Sequence, residues 1–518
     1  MTKKPPVTRR TFLETAGIAT GALVATGAFP HPAVGKVKGA NEKLNFAILG
    51  PGGRAQAHIG HLLRMKKAGK LVDIVAVCYV WDGSKDVDIK EWNADDKYVK
   101  VGRGLYPSAE RCGLSPDDKD HVCKDYRKLL DNKDIDAVVI ATPDHWHAKM
   151  TIDACEAGKD VYCEKPMTHT IDEARRVTEA VKKNNRVMTV GVQSTAHPQW
   201  REANKLITAG KIGHVMQAQT SYYRNSDEGQ WRYYNLTEDM TPKTIDWKMF
   251  LGTQFGLAPD MPFNRAKYAQ WRCYWDFGGG MYTDLFVHQL THLLQAVGVR
   301  FPRRVVGAGG LYLEYDGRDV PDVATVVADY DEGCQVLVMA TMCNKTPIDE
   351  VIRGHTGTIK FTDDGFDVIP QAPDGRPAPA NRSQSNAGAE HVAVKDAPNG
   401  RQEPDTRALW EHFIECIRSR NPETLCPPEL GYAAIATVNM GVQSYREGKA
   451  YYFNKETGQV TTADSSWSAA WEKRSHERGK PNQVMGWHVG DEGSLLHAKD
   501  YQKLEGDWIN GEDPARKV

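Results

Sequence analysis

Two pairs of residues have the chemistry to move a proton and steady a developing negative charge. Glu164 and Lys165 stand side by side in VYCEKPMTHT, and Asp284 and His288 stand four apart in GGGMYTDLFVH. An ammonium can hold a developing alkoxide as a fixed charge. An imidazole is the common general base near neutral pH, and an Asp beside it raises its basicity and fixes its orientation. On a helix, Asp284, His288 and His292 follow one line. The glycines at 278–280 allow close backbone approach to a ligand. Trp271, Arg272 and Trp275 lie just upstream. Aromatic faces with an Arg suit a carbohydrate, which makes Arg272, Trp275 and His292 candidate substrate contacts. Packing competes as the reading of each aromatic. Tyr222 and Tyr223 are weaker candidates.

The elements that position these groups can be read along the chain. LNFAIL is a compact apolar strand, and Gly50, Gly52 and Ala55 then form a G-x-G-x-x-A turn into a helix with Ile59, Leu62 and Leu63 on its apolar face. With Gly53 and Arg54, this turn can present backbone amides and a helix N-terminus to a pyrophosphate. A second strand, LVDIVAVCYVWDG, carries Tyr79 where an acid would hold the ribose hydroxyls of NAD, and Asp82 comes three residues later. NAD and NADP both remain open on this ground, with NAD favoured. A third strand at 137–141 ends in Thr142, Pro143, Asp144, His145, Trp146 and His147, and a helix near 150–157 leads to the strand before Glu164. Pro166 disfavours helical geometry at Lys165 and keeps it extended. This β-α-β rhythm predicts a doubly wound parallel sheet, whose ligands collect at the carboxyl ends of strands. Three clusters, GPGG, ATPDHWH and CEKP, then share one rim. A helix at 171–184 and a strand at 187–192 complete the domain.

Beyond residue 194 the pattern becomes β-rich, with a hairpin signal at Asp331, Glu332 and Gly333. It predicts an α/β domain with an open, mostly antiparallel sheet. Residues 371–404 read as a long loop, and ALWEHFIECIRSR as a helix with Trp410, Phe413, Ile414 and Ile417 on one face. The expected division is a signal and linker at 1–40, a Rossmann domain at 41–193, a substrate and oligomerisation domain at 194–462, and an extension at 463–518.

Bulk properties exclude several classes. A formal net charge of −1 over 518 residues gives no pull toward nucleic acid. The ten cysteines form no C-x-x-C pair, and no His spacing demands a metal, so no metal site is expected. Cys112 and Cys123 share a polar segment and could pair in an exported protein. The N-terminus carries adjacent Arg9 and Arg10, then Phe12 and Leu13, then a Gly/Ala-rich apolar run. That order resembles a twin-arginine signal. It predicts export of a folded, extracytoplasmic (periplasmic) protein with no membrane span after cleavage.

GPGGRA at 50–55, ATPDHWH at 141–147, CEKP at 163–166 and GGGMYTDLFVH at 278–288 occur in the order of the glucose–fructose oxidoreductase/inositol dehydrogenase (Gfo/Idh/MocA) family. The chain resembles that family over residues 44–460. The resemblance implies a Rossmann domain, a second domain that often packs against another subunit as dimer or tetramer, and NAD or NADP as cofactor. It implies that Lys165 is the catalytic lysine and that Asp284 and His288 are its partners. It places Glu164 near the cofactor's ribose and His147 near its nicotinamide, beside Thr142 and Pro143. A sugar hydroxyl would lie between Lys165 and His288, with Asp284 stabilising the imidazolium. The expected function is NAD(P)-dependent oxidation of a sugar or polyol, with a tightly held cofactor. The alternative is a glycosidase that oxidises C3 transiently, eliminates, hydrates and reduces back. A non-catalytic sugar- or cofactor-binding protein is the third reading.

Overall fold

Short apolar runs, buried on both faces, build the first sheet of the computed structural model, which describes residues 42–85, 89–371, 388–394, 402–464 and 466–476. The strands are β1 (Leu44–Leu49), β2 (Val72–Cys78), β3 (Val122–Cys123), β4 (Ala137–Ile140), β5 (Asp160–Glu164) and β6 (Met188–Gly191). They pair in parallel in the order β3-β2-β1-β4-β5-β6. Their uninterrupted apolar character follows from helices covering both faces. These include α1 (Gly53–Lys67), α2 (Asp144–Glu156) and α3 (Ile171–Lys183). A capping box between Thr170 and Glu173 starts α3. The order reverses between β1 and β4, which opens a crevice at their carboxyl ends. Gly50 and Thr142 meet there. A Cβ on Gly50 would lie 2.7 Å from the Thr142 methyl, and Gly50 has φ +83°.

The second domain begins with α4 (Gln199–Thr208) and the long strand β7 (Val215–Asn225). After α5 (Val287–Val297) come β8 (Arg304–Gly310), β9 (Val323–Tyr330), β10 (Cys334–Thr341), β11 (Val351–Gly354), β12 (Gly357–Thr362), β13 (Gly365–Pro370) and β14 (Glu390–Ala393). After α6 (Gln402–Ser419) and α7 (Pro428–Glu447), β15 (Tyr451–Asn454) and β16 (Gln459–Thr461) complete the sheet. The order is β14-β13-β12-β11-β7-β10-β9-β8-β15-β16. All neighbours are antiparallel except β7 and β10. The turn after Tyr330 joins β9 to β10 as a hairpin, with Gly333 at φ +86°.

Several expectations need correction. Helix α6 lies within the second domain's expected residue range, and its apolar face covers the first sheet. Trp410 stacks on Tyr162 at 4.4 Å and meets Phe46 edge-on at 5.6 Å. Its apolar face was legible, but the surface it covers lies hundreds of residues earlier. Within 371–404, residues 390–393 form β14, which pairs with β13, and α6 starts at Gln402. Cys112 and Cys123 are both unbonded. They pack in the apolar clusters on opposite faces of the first sheet, so the sheet itself separates them. Among the described residues no helix is long and apolar enough to cross a membrane. In the 463–518 extension a helix spans Ser466–His476. The signal at 1–40 and the remainder of the extension lie outside the described residues.

Candidate active site

The carboxyl end of β5 delivers Glu164 and Lys165, and their side chains part there. Lys165 Nζ donates to Asp284 Oδ1 and to the Asp284 carbonyl oxygen, both at 2.6 Å. Asp284 lies in a π-helical turn, Tyr282–Phe286, that leads into α5. Such turns recur at functional sites. Its Oδ1 also accepts from Arg272 Nε at 2.9 Å, and its Oδ2 from the Trp231 indole at 2.8 Å. Burial opposes the Asp284 charge, but Lys165 and Arg272 outweigh it and hold the carboxyl far below its usual range.

This geometry changes the expected role of Asp284. Both its oxygens are filled by the ammonium, the guanidinium and the indole, and it makes no hydrogen bond to His288. Charged donors outcompete a neutral imidazole for one carboxylate. The His288 ring has no hydrogen-bond partner among the described residues. Burial, and then the Lys165 charge, pushes its pKa well below the histidine range. His288 is therefore a neutral, unoccupied base beside a fixed cation. Tyr222 flanks it, with ring centroids 6.3 Å apart.

Glu164 turns the other way. Its Oε1 accepts from Arg54 Nε at 2.7 Å and from His58 Nε2 at 2.8 Å, and its Oε2 from the Lys165 amide at 3.1 Å. The His58 Nδ1 accepts from the Trp410 indole at 3.0 Å. With Nδ1 an acceptor, the one proton of the neutral ring sits on Nε2 and goes to Glu164. Gly191 makes room, since a Cβ there would stand 3.0 Å from the carboxylate. The side chain expected near the ribose thus ties α1 to β5 and α6.

The Gly-rich turn fits a dinucleotide. Helix α1 starts at Gly53 with no acidic residue in its first turn and no side-chain cap, so its N-terminal amides face the crevice unopposed. A Cβ on Gly52 would stand 3.3 Å from the Tyr79 hydroxyl, and Ala55 is buried at the base of the turn. A cleft lined by Gly52, Arg54, Tyr79, Thr142, Pro143 and Arg272 runs from here to the second domain. Trp81 also lines it, with a buried indole N–H that lacks a partner among the described residues. Asp82 pairs with Lys124 at 2.8 Å. Tyr79 alone stands where an acid was expected.

Other candidates fall elsewhere. His147 is buried, with Nδ1 2.6 Å from the Pro166 carbonyl and Nε2 2.8 Å from the Thr142 carbonyl. It joins the chain just past β4 to the chain just past β5. His292, one turn beyond His288 in α5, is engaged by other partners. It stacks on Trp200 at 3.9 Å, and its ring nitrogens meet Ser194 and Glu350. Trp275 packs under the Arg446 guanidinium at 5.2 Å, and its neighbour Trp271 lines the cleft.

Family models match both domains. Residues 44–192 match the oxidoreductase family with an NAD-binding Rossmann fold, and residues 204–453 match the C-terminal alpha/beta domain of the same GFO_IDH_MocA family. The chain belongs to the GFO_IDH_MocA family. A levoglucosan dehydrogenase of Pseudarthrobacter phenanthrenivorans is 39% identical over 142 residues, 25% of this chain and 36% of that protein. A glycosyl hydrolase family 109 protein of Shewanella baltica is 25% identical over 260 residues, 48% of this chain and 51% of its own length. The chain thus spans about a third to a half of these relatives. The WlbA dehydrogenase of Bordetella pertussis, solved with NADH and UDP-GlcNAcA, superposes with TM-score 0.53 at 17% identity, covering 80% of this chain and 99% of that one. An aldose-aldose oxidoreductase of Caulobacter crescentus gives 0.52 at 20% identity, covering 80% and 100%. These two likenesses show the shared fold.

Within the family frame, three residues of this site escaped the sequence reading. Trp231 has no local signal, because its partner Asp284 is 53 residues away. His58 sits inside an ordinary helical run. Asp144 was visible in ATPDHWH but had no assigned role. It is 2% exposed, and its Oδ2 accepts from Thr283 Oγ1 at 2.9 Å. A Cβ on Gly278 would stand 2.9 Å from that oxygen. Burial, offset in part by Arg272, pushes the Asp144 carboxyl up to about 7.

Proposed function

We propose that the protein oxidises a sugar or polyol hydroxyl with NAD as hydride acceptor. The observation that carries this is the state of Lys165. An ammonium has three N–H donors. Two go to Asp284, and the third has no partner among the described residues. It is fixed at the rim of the crevice, beside a neutral His288.

NAD, when bound along the Gly-rich turn, supplies an acceptor for the hydride that leaves the substrate carbon. The chain's own residues do the rest. The substrate oxygen accepts from the free N–H of Lys165. His288 takes the hydroxyl proton. The Lys165 charge steadies the oxygen as negative charge develops, and Asp284 keeps that ammonium in place without reorganisation. Arg272, stacked at 4.1 Å on Trp271, buttresses Asp284 from the cleft side.

The test starts from the full-length protein. Denaturation should release NAD(H) if the cofactor is retained. Sugars and polyols are then offered with added NAD, and reduction of NAD is followed. Failure of every sugar and polyol to reduce NAD would sink this reading. A second reading, the redox-neutral glycosidase, draws support from the likeness to the family 109 protein over 260 residues. It requires aryl glycosides to be cleaved without added cofactor.

Two further parts of the reading concern context. The twin-arginine pattern at the N-terminus supports export, and processing that stops in a strain lacking that pathway would bear on it. The outer face of the second sheet, with Val306 42% exposed in β8, supports a homo-oligomer, which light scattering can measure.

A further inference from the structure

Arg224 ends its side chain among neutral groups. Its Nη2 donates to the Tyr222 hydroxyl at 2.5 Å and its Nη1 to the Tyr233 hydroxyl at 3.4 Å. The Gln230 amide, turned to its better-satisfied orientation, offers its oxygen at 3.1 Å. The guanidinium lies 4.9 Å over the Tyr222 ring. No carboxylate pairs with it among the described residues, although it is half-buried. The nearby acid, Asp284, already serves Lys165 and Arg272.

A half-sequestered cation without a counter-ion is costly unless a ligand completes it. A guanidinium has five N–H donors, and at most three are used here. The location gives the ligand its identity. Tyr222, which holds Arg224, also flanks His288. Asp284 is close enough for its charge to act on Arg224. Tyr233, 41% exposed, stands at the open side of this group. Lys165, Arg272 and Arg224 together leave this part of the site with excess positive charge.

We propose that the substrate is an anionic sugar whose carboxylate binds Arg224 while its reacting hydroxyl lies between Lys165 and His288. This rests on the oxidoreductase reading above and narrows its substrate class. The guanidinium fork matches a carboxylate in two parallel hydrogen bonds. A phosphate or sulfate ester would satisfy the same donors, so the ester is an arm of the test.

The experiment compares a uronic acid, its parent neutral hexose and the hexose 6-phosphate, using full-length wild type, Arg224→Gln and Arg224→Lys. NADH formation gives kcat/KM, and calorimetry on the NAD-loaded protein gives uronate binding. The wild type should favour the uronate over the hexose. Arg224→Gln should lower that ratio roughly ten- to hundred-fold, mainly through KM, as expected for a lost hydrogen-bonded charge pair. Arg224→Lys should keep part of the preference. A stronger preference for the phosphate ester would keep the anion site but overturn the carboxylate assignment. Equal use of neutral and anionic sugars by the wild type, or a ratio unmoved in Arg224→Gln, would overturn the proposal. Arg224-dependent uronate binding without NADH formation would support the anion site and overturn the oxidoreductase reading.

Discussion

Glu164 and Lys165, adjacent in the chain, send their charges in opposite directions. The carboxylate goes to Arg54 and His58, and the ammonium crosses to Asp284 in the other domain. One end of a strand therefore anchors two unrelated networks. One fastens the nucleotide-binding helix. The other fixes the ammonium at the edge of the second domain. Their effects should separate experimentally.

Lys165→Met should reduce kcat about a hundred- to ten-thousand-fold, the usual range for losing a proton-transfer or charge-stabilising group. NAD affinity should stay within a few-fold of wild type, since the Gly-rich turn is intact. Steady-state kinetics and a fluorescence titration of NAD check the two halves. Wild-type turnover by the variant would remove Lys165 from the chemistry.

The pH profile should report His288. Its folded pKa lies well below the ordinary 6.5. The base therefore stays neutral, and competent, as pH falls through 6.5. Activity should be lost only further into acid, as protonation through that lowered pKa removes the acceptor. A profile of kcat/KM against pH in the free enzyme measures this. Half-loss at an ordinary histidine pKa would contradict the neutral base.

Glu164→Gln should cost stability, roughly 3–5 kcal/mol, because it leaves the Arg54 guanidinium without its carboxylate. The dependence on pH has a definite sign. Arg54 and His58 overcome the burial penalty and hold the Glu164 pKa below its unfolded value. Its stabilisation is thus full above the ordinary carboxylate range and fades as pH falls toward the folded pKa. The difference in Tm between wild type and variant should shrink in acid.

Asp144→Asn should act in the opposite sense. Burial raises this carboxyl from 3.8 to about 7 in the folded protein. Its contribution is full below the unfolded value and is lost as pH rises through the folded one. Wild-type Tm should fall relative to the variant between those two pH values. Parallel Tm curves would show that Asp144 ionises normally.

Gly50→Ala should weaken NAD binding and destabilise the fold by about 1–3 kcal/mol. The new methyl would meet Thr142 at 2.7 Å in a left-handed backbone conformation. Thermal melts with and without NAD test both effects.

Local signals made much of this molecule legible. Each apolar strand ending in glycine or proline located a rim position, because short buried strands need no distant partner to be recognised. The hairpin at Gly333 was visible for the same reason. What stayed hidden was long-range. The i,i+4 spacing of Asp284 and His288 suggested a pair, but spacing cannot reveal that Lys165, Arg272 and Trp231 claim the carboxylate first. His292 continued the helical line, yet Trp200 and Glu350 draw it into the interior. Arg224 gave no signal at all, since an unpaired charge is recognisable only when its surroundings are known.

The placement of α6 bears on how the chain is made. Trp410 and His58 are 352 residues apart. When residue 193 leaves the ribosome, every strand of the first sheet exists, but the helix that shields Phe46 and Tyr162 does not. Closing so long a loop is slow compared with local pairing. The nascent chain thus carries an uncovered aromatic surface while more than two hundred further residues are synthesised.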